Sequence, residues 1–116
     1  MKILLDHCVP QPLRRYCTEH TEHTAETTAF RGWQALSNGA LLQAAEQAGF
    51  DVFLTIDQNI QHQQNLSGLQ LRVLVLEAEN SLVATLIPLI IPALQALEQM
   101  QPGEIRRIHL PLPATE

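Results

Sequence analysis

Three short apolar runs, 2–5, 52–55 and 71–76, do most to narrow what this chain can fold into. They are apolar nearly throughout, and a strand apolar on both faces suits a parallel sheet covered by helices on both sides. Helical patterns fall between them. Pro10 and Pro12 fit the opening turn of a helix through about Cys17, with Leu13 and Tyr16 spaced to face the core. Thr24 to Phe30 has weak β character. Ser37 or Asn38 can cap a helix from Gly39 to Ala48, which carries Leu41, Leu42, Ala45 and Ala48 on one face and stops at Gly49. A long apolar helix is expected from about Ser81 to Met100, kinked or divided at Pro88 and Pro92. Gly103 permits a turn, and Ile105 to Leu110 returns as a final strand. Alternating strands and helices predict one α/β domain over residues 1–116.

Charge and cysteine usage restrict the function classes. Seven Lys and Arg against twelve Asp and Glu give a net charge of -5, so electrostatics over the whole surface would not gather nucleic acid. Contact with nucleic acid is expected to be local or metal-assisted. Two cysteines, Cys8 and Cys17, make no disulfide framework and fit a reducing, cytoplasmic setting. The apolar start at 1–5 is cut by Asp6 and His7 before it reaches the length of a signal sequence. Residues 82–97 carry no charge but are short for a membrane span and contain Pro88 and Pro92, which favours a core helix and no membrane association over the alternative of a membrane segment.

Asp6 and Asp57 each follow an apolar strand, and the crevice outside the carboxyl ends of parallel strands is where open α/β sheets bind ligands. Two converging carboxylates suit a hard divalent cation such as magnesium or manganese, which can activate water against a phosphodiester. A single Asp in this position more often caps a following turn. Crowding of the two acids predicts that Asp6→Asn and Asp57→Asn leave the fold intact or slightly stabilised. Asn38, Asn59, Gln63 and Asn65 offer amides to a phosphate or base, or brace the loops around Asp57. His7 and His62 are pocket candidates. Cys8, Cys17, His20 and His23 include four zinc-type ligands, in a spacing unlike familiar fingers. Trp33 is a core or groove ring, with base stacking the alternative.

The run Ile3-Leu4-Leu5-Asp6 with Val9-Pro10, then Gly32-Trp33, Asn38-Gly39-x-Leu41-Leu42, and Phe50 to Thr55 with Asp57 and Asn59 leading to Gln63-Gln64-Asn65-Leu66, resembles a bacterial family of small PIN-like proteins. The likeness extends from residue 1 to about 108, and its members are similar to the toxins of toxin–antitoxin pairs. It implies a PIN-like three-layer α/β/α sandwich with a mostly parallel sheet. It also implies metal-dependent RNA cleavage, with Asp6 and Asp57 as catalytic and metal-binding acids; Asn38, Asn59, Gln63 and His7, read from their own chemistry near these acids, are the expected substrate contacts. Magnesium or manganese is the implied cofactor, and RNA and an antitoxin are the implied partners; a second copy of the chain is a default expectation that the resemblance does not supply. His7 stands where relatives commonly have Glu, and Ala40 where they have an acid. The alternative is an inactive PIN-like module that binds RNA or protein. A phospho-acceptor receiver domain is disfavoured, because His7 replaces its second acid and Lys2 is the only lysine.

Overall fold

The computed structural model describes residues 1–19, 21–60 and 68–109. Five strands, β1 (Lys2–Leu5), β2 (Thr24–Thr27), β3 (Val52–Thr55), β4 (Arg72–Glu77) and β5 (Ile105–His109), form one sheet in the order β2-β1-β3-β4-β5. Every pairing is parallel; Leu4 lies opposite Phe53, and Phe53 opposite Val73. Among the described residues four helices accompany it: α1 (Leu13–Thr18), α2 (Thr28–Arg31), α3 (Asn38–Gln47) and α4 (Val83–Leu97).

Strand side chains alternate between two apolar layers. Ile3, Leu5, Val52, Leu54, Leu74 and Leu76 meet α1 and α4, while Leu4, Phe53, Val73 and Val75 meet α3. The molecule is therefore a three-layer α/β/α sandwich whose sheet is wholly parallel. From β1 to β2 the chain steps one way across the sheet, and from β4 to β5 the other way, yet α1 and α4 share a face. The β4–α4–β5 crossover consequently has the opposite hand to β1–α1–β2, against the strong preference for a single hand. Its placement covers Val52, Leu54, Leu74 and Leu76, which α3 does not reach.

Pro88 and Pro92 lie inside one unbroken helix, so of the two expected outcomes, a kinked helix or a divided one, the division does not occur. The prolines stand four residues apart, so their missing N–H groups leave the carbonyls of Ala84 and Pro88 without helical partners. Ala84 and Pro88 are both exposed, so water can take up those carbonyls. On the opposite side Leu86, Leu89, Ile90, Ala93 and Leu97 are buried, the Leu and Ile side chains each contributing roughly 1.5–3 kcal/mol of burial free energy. Helix α1 begins at Leu13 rather than at the prolines, and Cys17, not Tyr16, joins Leu13 in the core. A four-residue spacing puts Leu13 and Cys17 on one face.

The weak β segment divides into β2 and α2, because the Thr27 side chain accepts a hydrogen bond from Phe30 N and starts a helical turn. In α3 Ser37 is the cap, its hydroxyl accepting from Ala40 N. Gly103, at φ +84, turns into β5 where a Cβ would stand 2.9 Å from the Leu69 carbonyl oxygen. Among the described residues, no helix is long and apolar enough to cross a membrane.

Candidate functional site

β1 and β3 are neighbours, and between them the strand order reverses, since β2 lies beyond β1 and β4 beyond β3. Asp6 and Asp57 follow these two strands at their carboxyl ends, the position expected for a ligand crevice. Thr55 joins them. Its wholly buried hydroxyl donates to Asp6 Oδ2 at 2.7 Å and accepts from Asp57 N at 3.0 Å.

Asp6 is 2% exposed and is held by donors on both oxygens. Oδ1 accepts from His7 N at 2.8 Å and lies 3.0 Å from His7 Nδ1; Oδ2 accepts from Thr55 and, at 3.5 Å, from the Cys8 thiol. Burial first, and then the Asp6 charge, push the Cys8 thiol above its ordinary range, so it remains a proton donor. The main chain tightens the same corner: Asp6 N donates to the Leu54 carbonyl, and Val9 N to that of Asp6. Carboxylate crowding is thus not what defines the Asp6 environment. The expectation that Asp6→Asn would be harmless is replaced by one of lost stability, because Asn cannot offer two oxygen acceptors.

Asp57 is half-exposed and differently held. Its Oδ1 accepts from Asn59 N at 3.0 Å, and its carbonyl from Ile60 N at 3.3 Å, an Asx turn that opens the following loop. Oδ2 takes no hydrogen bond among the described residues. Asn59 is exposed. Gln63, His62 and Asn65 lie outside the described residues. His7 is 61% exposed and packs beside Asp6. Asn38 opens α3, whose start faces the carboxyl side of the sheet because its other end reaches the amino side through Glu46.

A cleft of about 240 Å³ lies beside Asp6, lined also by His7, Cys8, Pro10, Thr27 and Thr28. It opens toward β2, and Asp57 is not among its lining residues, because Thr55 and Cys8 fill Asp6's contacts on the β3 side. Thr28 is wholly buried, and its Oγ1 has no hydrogen-bond partner among the described residues. A buried hydroxyl left unpaired costs about 1–3 kcal/mol, a cost that water or a ligand oxygen in the cleft would relieve.

Several residues at this edge escaped sequence reasoning. Glu77 ends β4 and pairs with Arg107, with His109 Nδ1 3.5 Å from its other oxygen. Arg107 also donates to the Gln58 carbonyl at 3.2 Å, fastening the Asp57 loop to β5. The signal was present, since Glu77 follows an apolar run as Asp6 and Asp57 do. Thr55 was legible only as part of a strand.

Other acids and expected ligands fall elsewhere. Glu46 caps the start of β4, accepting from Gln70 N and Leu71 N, and Asp51 accepts from Lys2 N, both at the opposite end of the sheet. Cys17 belongs to the apolar core, where burial pushes its thiol up to about 11, which removes it from the zinc set. His20 lies outside the described residues. Among the described residues, no three His, Cys, Asp or Glu side chains gather into a metal-holding group. Trp33 packs edge-on against Phe50, with ring centroids 6.1 Å apart, and serves the core. No family model, curated protein or solved structure matches the chain.

Proposed function

We propose that this is a PIN-like protein that holds RNA at the edge carrying Asp6 and Asp57 and cleaves it slowly with magnesium or manganese, as the toxin of a toxin–antitoxin pair would. One observation carries the reading: two acids at the carboxyl ends of adjacent parallel strands, at the point where the strand order reverses, joined through Thr55. The donors present fit a weakly held, largely hydrated cation. Magnesium commonly keeps several waters and takes one or two carboxylates, the rest of its shell coming from substrate phosphate. Asp57 would hold it through Oδ2; Asp6, with both oxygens engaged, would contribute mainly charge. The ion supplies an activated water and neutralises charge on the phosphodiester. Asn38, Asn59, Gln63 and His7 are the proposed RNA contacts, and an antitoxin and a second copy of the chain the proposed protein partners. Both thiols are free, which agrees with the cytoplasmic location we propose.

A second reading, an inactive module that binds RNA or protein, draws on the same contacts. With Asp6 saturated by protein donors, and His7 and Ala40 where the resembled family has acids, the edge is short of the charge that fixes a catalytic ion.

Purified protein incubated with labelled single-stranded RNA separates the two. Slow cleavage in manganese is expected, vanishing with chelator and with Asp57→Asn, and rising in His7→Glu/Ala40→Glu. Binding without cleavage by parent or restored variant would establish the inactive module. Neither binding nor cleavage would end the RNA reading.

A further inference from the structure

Phe30, on α2, is 78% exposed, more than any other large apolar side chain among the described residues. It borders a hollow of about 240 Å³ together with Gln11, Arg14, Glu26 and Thr27. Gln11 and Thr27 also line the Asp6 cleft, so the hollow continues directly from the acid edge.

The charges here are arranged unevenly. Glu26 is engaged by Arg31, whose Nε and one Nη both donate to its carboxylate, and this contact holds the Glu26 carboxyl below its usual range. Arg14 is exposed and anchored differently: its Nε donates to the Ala25 carbonyl at 2.7 Å, a neutral partner. That bond fixes the guanidinium at the rim; among the described residues no carboxylate contacts it directly, although its charge reaches Glu26 and helps, after Arg31, to lower that carboxyl.

We infer that Phe30 and Arg14 form a nucleotide subsite for single-stranded RNA, with a base stacked on the Phe30 ring and a phosphate on the Arg14 guanidinium, beside the Asp6 cleft. The inference rests on the RNA reading and supplies its recognition surface. Aromatic faces take any base, and stacking is worth about 1–3 kcal/mol per base. Phosphate contacts from Arg position the strand without reading its sequence. A protein-docking spot would surround such a ring with apolar neighbours. Here the hollow's other walls are an amide, a cation, a carboxylate and a hydroxyl, and the exposed Tyr16, Leu36, Leu82 and Ile91 are not among its lining residues. In an acidic chain, one positioned cation beside a stacking ring gives a local site that the net charge does not.

The test is fluorescence anisotropy of a short labelled single-stranded RNA with the full chain in EDTA, where no cleavage intervenes. Phe30→Ala is expected to weaken binding about tenfold. Phe30→Trp should restore it, with indole fluorescence quenched as RNA binds. Arg14→Gln should reduce the slope of log affinity against log salt by about one. Thermal melts serve as controls, because the Phe30 ring is exposed and its main-chain bond to Thr27 survives substitution. Parent binding that Phe30→Ala leaves unchanged would overturn the subsite while sparing the RNA reading. A parent that fails to bind RNA would remove both.

Discussion

Asp6→Ala should destabilise the fold by about 3 kcal/mol, read as a lower urea midpoint with an unchanged slope. The carboxylate is 2% exposed and serves the Thr55 hydroxyl, the His7 amide and the Cys8 thiol. Removing it strands the Thr55 hydroxyl, which is wholly buried, and leaves a hole at the end of β1. A hydrogen bond to a charged group is worth roughly 1.5–3 kcal/mol, and a buried donor left unpaired costs about 1–3 kcal/mol. Asp6→Asn retains one acceptor oxygen and should lose about half as much. Asp57→Asn should stay within about 0.5 kcal/mol of the parent, since that side chain is half-exposed and its Asx turn survives in Asn. Equal effects at the two positions would contradict the asymmetry described between them.

Phe53→Ala should cost about 4 kcal/mol. Phe53 is wholly buried at the centre of β3, between Leu4 of β1 and Val73 of β4, and under Leu41 and Leu42 of α3. A typical domain is stable by 5–15 kcal/mol, so this one ring accounts for a large share of the margin. Phe53→Leu should lose only about 1 kcal/mol, because most of the cavity is refilled. Both values follow from denaturant titration monitored by far-ultraviolet circular dichroism. A loss under about 1 kcal/mol in Phe53→Ala would mean that the α3 layer is not packed against the sheet.

The sheet was legible because its strands are apolar on both faces. Val52 to Thr55 is buried at every position, and so is Val73 to Leu76, which leaves little room for a helical or alternating pattern. The β2–α2 segment was harder. As an edge strand, β2 carries Thr24, Glu26 and Thr27, none fully buried, so no apolar run marks it, and its end depends on one Thr27 cap. Phe30 looked like the tail of that strand, which hid its exposure. The two prolines of α4 were read from local backbone rules alone. What those rules lack is that Ala84 and Pro88 both face water, a property of how the helix packs.

At the candidate site the sequence carried positions but not bonding. Asp6 and Asp57 look alike in the sequence, each an acid after an apolar run. Burial separates them: one carboxylate is enclosed by Thr55, His7 and Cys8, and the other turns to its own loop, with one oxygen free of hydrogen bonds among the described residues. Thr55 is two residues from Asp57 but reaches Asp6 only because β3 pairs with β1. Contacts of that kind depend on register, which no single strand records. Glu46 shows the reverse case, an acid on a legible helix whose role at the start of β4 depends on tertiary packing.

The most direct measurement is an anomalous-scattering map from crystals of the chain soaked in manganese, alongside crystals of Asp57→Asn. A peak is expected next to Asp57 Oδ2 on the carboxyl edge of β1 and β3, with Asp6 nearby, and no peak in the variant. A parent map without manganese at this edge, or with it bound only elsewhere, would contradict the metal-dependent reading.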